Sequence, residues 1–80
     1  MRPPAAPPHV GSLLRNLRHG AGMSQEALAA RAGLHRTYIG QLERSERQPT
    51  VATVTRILDV LAVSWGQFGR LLDQSRGQTS

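Results

Sequence analysis

The chain of 80 residues contains no cysteine, which excludes disulfides, cysteine-based zinc sites and thiol chemistry. It contains no lysine either, so its 10 basic residues are all arginine; against 5 acidic residues they leave a net charge of +5 with histidine neutral. A basic balance points to a polyanionic partner, although biased base composition accounts for an all-arginine set equally well. Aromatic side chains are scarce, one each of Trp, Tyr and Phe. No apolar run approaches the ~20 residues that a membrane-spanning helix needs. Prolines stand near the start where a secretory leader would need an apolar stretch, so a cytoplasmic protein without a membrane segment is expected. His9, His19 and His35 show neither metal-ligand spacing nor a carboxylate partner, and Asp59 and Asp73 have no nucleophile beside them. Neither an enzyme nor a metal or cofactor site is expected.

What is present reads as one all-α domain. A domain of this size buries only about 60% of its unfolded surface, so dimerisation would add stability to a small core. Residues 1–9, MRPPAAPPH, hold four prolines and almost nothing to bury. They are expected to form a disordered or polyproline-like arm, either an inert tail or a strap that carries Arg2 along phosphates. The domain proper is expected over 10–74, with a frayed tail over 75–80. A first helix is expected from about Val10 to His19, with Leu13, Leu14 and Leu17 on one face and Gly20 and Gly22 ending it. Ser24 caps a second helix that buries Leu28, Ala29 and Ala32, with Glu26 in its first turn. A third runs from near Arg36, with His35 at the cap, to near Arg44. Thr50 caps a fourth with Val51, Val54, Ile57, Leu58 and Leu61 at helical spacing, and Ser64 a fifth with Trp65, Phe68, Leu71 and Leu72 as its stripe.

The densest signal lies in SQEALAARAGLHRTYIGQLE, residues 24–43. Two helices crossing steeply need a small residue where they meet, which Ala29 provides. The sharp reversal needs a left-handed position, which Gly33 accepts without steric cost. Ile39 and Leu42 lie three apart and face back onto the preceding helix, leaving the other face of their own helix free. A polar, arginine-bearing helix face held out by a rigid partner is suited to the DNA major groove.

The chain resembles the Cro and lambdoid phage repressor family of helix-turn-helix domains, also called the xenobiotic-response-element family, over about Val10 to Leu72. The pieces that carry the resemblance are MSQEALA, AGLHRTYI, QLER, QPT and LAVS. HRTYI is also similar to small dimeric controller proteins of restriction–modification systems. The resemblance implies a compact five-helix fold whose third helix enters the groove, with base contacts from Arg36, Thr37 and Gln41. Arginine suits guanine, glutamine suits adenine and the threonine methyl suits thymine. It implies that Gln25 holds a phosphate while capping the second helix. Arg44, Ser45 and Arg47 follow as backbone or minor-groove contacts, with plain solvation the alternative. Two readings stand for Tyr38: a hydroxyl on a phosphate, or packing against the second helix. His35 is read as structural. The resemblance further implies that Arg18 and Glu43 form a buried ion pair and are not DNA residues.

Three positions depart from the family pattern. Gly40 stands in the recognition helix where a polar residue is usual, so one base position is expected to go unread or the helix to lie closer to the bases. Ala62 and Ser45 replace glycines after the fourth and third helices and are expected to hold strained left-handed positions. Between His35 and Gln48, three arginines face two glutamates, a net of +1, so a modest salt dependence is expected. The expected function is regulation of transcription by a homodimer on a near-palindromic double-stranded DNA operator, with Trp65, Phe68, Leu71 and Leu72 at the dimer interface. The alternative is an antitoxin or adaptor that presents the fifth helix to a protein partner.

Overall fold

The helix starts are set by capping side chains. The Ser24 hydroxyl accepts the N–H of Ala27 at 3.0 Å and the Thr50 hydroxyl that of Thr53 at 3.1 Å. Ser64 accepts the N–H of Gln67 at 3.0 Å, while its own N–H donates to the Gln67 side chain at 2.8 Å, a reciprocal capping box. The computed structural model describes residues 9–77, which form α1 (His9–Gly20), α2 (Gln25–Ala32), α3 (Arg36–Glu43), α4 (Val51–Leu61) and α5 (Trp65–Gly77). No strand occurs among the described residues.

The first four helices end in one way. Residues Gly22, Gly33, Ser45 and Ala62 all take positive φ, between 58° and 71°. The next N–H then reaches back five residues along the chain: Met23 to Arg18, Leu34 to Ala29, Glu46 to Gln41 and Val63 to Leu58, at 2.8–3.1 Å. This is the Schellman closure, which satisfies carbonyls that the helix leaves unpaired. Ser45 and Ala62 adopt the left-handed backbone that the family pattern gives to glycine, with a Cβ in place.

α1 packs on α3 and α5, and α2 packs on α3 and α4. The core they enclose joins Leu14 of α1, Leu28, Ala29 and Ala32 of α2, Ile39 and Leu42 of α3, four residues of α4 and Phe68. α1 approaches the end of α3 closely at Gly11, where a Cβ would collide with the Leu42 carbonyl oxygen.

Several expectations are corrected. Phe68 is 2% exposed and edge-on to Trp65, so it belongs to the monomer core and offers no surface to a dimer. Val51 carries helical spacing, yet it is 74% exposed at the first position of α4, outside the buried stripe formed by Val54, Ile57, Leu58 and Leu61. α5 continues through Ser75 to Gly77, so fraying does not begin at Ser75. His35 sits at the N-cap of α3 with extended backbone, but its ring makes no capping hydrogen bond. Helix α1 already includes His9; the remainder of the proline-rich arm, with Arg2, and residues 78–80 lie outside the described residues.

Candidate nucleic-acid interface

α3 is divided by burial into two faces. Ile39, Gly40, Leu42 and Glu43 are buried, whereas Arg36 and Thr37 are exposed and Gln41 and Tyr38 are half-buried. Because α2 and α1 both pack on the buried side, the polar side is held outward on a rigid frame. Arg36, Thr37 and Gln41 therefore share the outward side of one helix. Gly40 is buried, and a Cβ there would meet Arg44 Nη1 at 3.1 Å and Gln25 Oε1 at 3.7 Å.

The frame is fastened by one buried ion pair. Arg18 donates from Nε to Glu43 Oε2 at 2.7 Å and from Nη2 to Oε1 at 2.9 Å, a two-pronged fork. Its Nη1 donates to the Met23 carbonyl at 2.8 Å, so the same side chain also ties down the turn that ends α1. Both residues are less than 9% exposed. The hydrogen bond to Glu43 raises the Arg18 pKa. Burial pushes the Glu43 carboxyl up, but hydrogen bonds from Arg18 and Gln25 and the charges of Arg18 and Arg15 outweigh it, so Glu43 titrates below its ordinary range.

Gln25 does not cap its own helix; Ser24 does that. The Gln25 amide instead donates to Glu43 Oε1 at 3.0 Å, which places a polar side chain at the entrance of α2 beside the exit of α3. Arg44, the C-cap of α3, is exposed and forks onto Glu46 at 2.8 and 3.1 Å. Arg47 lies 5.4 Å from the centroid of the Tyr38 ring, a cation–π contact that supports both side chains beside α3. Ser45 is exposed at the same end. The structure thus gathers Gln25, Tyr38, Arg44, Ser45 and Arg47 around the flanks of α3. One cation missed in the sequence, Arg15 of α1, lines the cleft formed with Arg18, Gln25, Glu43 and Arg44.

A helix-turn-helix domain family matches residues 9–66, from the start of α1 to the start of α5. The chain belongs to the helix-turn-helix family. It is therefore a DNA-binding regulator of transcription by kinship, a class that is not normally enzymatic. This helix-turn-helix protein is 45% identical over 51 residues to the control protein C.SmaI of Serratia marcescens, covering 64% of this chain and 61% of that one. It is 42% identical over 55 residues to the uncharacterized HTH-type transcriptional regulator y4dJ of Sinorhizobium fredii, covering 69% and 71%. In three dimensions it resembles the wild-type restriction–modification controller protein C.Esp1396I, with a TM-score of 0.81, 34% identity and coverage of 85% of this chain and 90% of that one. It also resembles C.Esp1396I bound to a 25 base pair operator site, with a TM-score of 0.78 and the same identity and coverage. Among the described residues, no group of His, Asp and Glu is placed to hold a metal ion, and no helix is long and apolar enough to cross a membrane.

Proposed function

We propose that this chain is a cytoplasmic homodimer that reads a near-palindromic DNA operator through α3. The observation that carries the reading is the division of α3: its buried side is clamped by α1 and α2, and Arg36, Thr37 and Gln41 remain outward. Arg36 pairs with guanine O6 and N7, Gln41 with adenine, and Thr37 with a thymine methyl. Tyr38, Ser45, Arg47 and Arg44 hold phosphates beside the groove, and Gln25 does so at the entrance of α2. The similarity to an operator-bound controller protein supports DNA as the partner.

Half-sites about one helical turn (~34 Å) apart require two copies of the reading helix. The dimer contact is placed at an apolar cleft of about 200 Å³ whose walls include Val10, Pro49, Val51, Trp65 and Leu72, with Leu71 half-buried on the same helix. Val51 and Trp65 are the large apolar side chains left exposed among the described residues, and a second copy would cover both. The same cleft favours the second reading, an antitoxin-like or adaptor role in which another protein occupies it.

Selection of bound sequences from a randomised duplex pool at near-physiological salt tests the proposal. Recovery of an inverted repeat, lost in Arg36→Ala and Gln41→Ala proteins that remain folded, is the expected result. Recovery of no motif would transfer the function to the protein-partner reading.

A further inference from the structure

We propose that residues 1–8, the proline-rich stretch leading into α1, fold back onto the apolar cleft between α1, α4 and α5 and cover it in the monomer, so that a second copy must displace them to assemble. The cover stands on the cleft and the arm alone; only its consequence for assembly rests on the homodimer reading above. The cleft measures about 200 Å³, smaller than the roughly 300–1,000 Å³ of pockets that enclose small molecules. None of the residues that line it is charged. Two of them, Val51 and Trp65, are the large apolar side chains exposed among the described residues. Trp65 is fixed by two contacts: its Nε1 donates to the Thr55 hydroxyl at 3.2 Å, and its ring meets that of Phe68 edge-on at 5.9 Å. With the N–H engaged, what Trp65 still shows to solvent is apolar ring surface.

The chain itself supplies the occupant. Val10 is both the second residue of α1 and a wall of the cleft, so the segment before His9 starts at the edge of the cleft. That segment, MRPPAAPP, holds four prolines and two alanines and no acidic residue. Consecutive prolines favour extended polyproline backbone over a further turn of helix. Eight such residues reach about 25 Å, enough to pass from the α1 wall to the α5 wall of a cleft this size. Polyproline segments dock in grooves lined by aromatic side chains, and Trp65 supplies the aromatic here. Proline offers a carbonyl but no N–H, so its groove needs donors. Gln48, exposed on the lining of the cleft, has an amide that bonds to no described residue and can donate to such a carbonyl. Because the arm is tethered at the site, its effective concentration is on the order of millimolar, and even a weak contact holds against a free second copy.

Trp65 is the single tryptophan of the chain, so its fluorescence reports the cleft directly. The test compares the full chain with a chain lacking residues 2–8, each diluted until sedimentation shows a monomer. Trp65 of the full chain should be shielded from acrylamide, whereas the shortened chain should be quenched more and emit at longer wavelength. The full-length variant Pro3→Ser/Pro4→Ser/Pro7→Ser should behave like the shortened chain, and it carries the test if the shortened chain fails to fold. A peptide of residues 1–8 added to the shortened chain should restore the shielding. Both variants should also dimerise more tightly than the native chain, by about tenfold for each copy whose arm is closed ten to one. Equal quenching in all three monomers overturns the cover and leaves the homodimer reading standing. Shielding that appears only as dimer accumulates assigns the cleft to the second copy alone and also overturns it. Loss of shielding in the variants, with no dimer formed by any chain, upholds the cover and overturns the homodimer reading.

Discussion

Gln25 donates its side-chain amide to Glu43 across 3.0 Å, linking the first residue of α2 to the last residue of α3. α2 and α3 are therefore joined at one carboxylate, which Arg18 of α1 also grips. Three helices meet on Glu43, and the orientation of the outward face of α3 depends on that meeting point.

Removing one partner strands a buried charge. Arg18→Ala should destabilise the domain by about 3–5 kcal/mol, read from chemical denaturation. A double replacement, Arg18→Met with Glu43→Leu, should recover most of that loss, because apolar groups of similar volume carry no desolvation cost. If the single variant melts like the native protein, the pair does not hold the frame.

Acid should expose the same pair. The folded Glu43 titrates below its ordinary value, so its contribution to stability is complete above that value and is lost as pH falls through the folded pKa. Melting temperature should be insensitive to this group from pH 7 to about pH 5, then decline below about pH 4. Glu43→Gln, although less stable, should lack this part of the acid decline. Glu46 shifts in the same direction through its hydrogen bond with Arg44, but that pair is solvent-exposed and contributes little.

Val51→Glu should separate assembly from folding. Val51 is 74% exposed at the first position of α4, where a carboxylate is favourable to the helix dipole and disturbs no core contact. Sedimentation should show a monomer that melts normally and binds an inverted repeat weakly. Trp65→Ala would be a poorer test, since Trp65 also packs edge-on to the core residue Phe68 and donates to Thr55.

Ala62→Gly should stabilise the protein. Ala62 ends α4 at φ 58°, a conformation that costs an L-residue roughly 1–2 kcal/mol. Glycine relieves that strain and gives back roughly 0.5–1 kcal/mol through its freer unfolded state, so a net gain of about 0.5–1 kcal/mol is expected. In a domain this small, that corresponds to a rise of about 2–8 °C in thermal unfolding. An unchanged or lower midpoint would show that the left-handed alanine carries no strain here.

Local chemistry along the chain determines where the helices begin and where most of them end. Ser24, Thr50 and Ser64 bond to N–H groups three residues away, and Gly22 and Gly33 turn the chain through contacts no more than a few residues long. Such signals are complete within a short window of sequence, which is why five helices and the core stripe of α2, α3 and most of α4 were legible before any packing was known. Long-range packing decides the rest. Gly11 is small because of the Leu42 carbonyl, and nothing near it in the chain announces that neighbour. Val51 shares the apolar spacing of Val54, but only tertiary packing leaves one exposed and buries the other. Arg15 and Arg18 are alike as sequence, two arginines one turn apart on α1. Both lie on the same side of α1, but docking against Glu43 buries Arg18 in an ion pair and leaves Arg15, one turn earlier, at the rim of the cleft, because only Arg18 is placed to reach the carboxylate.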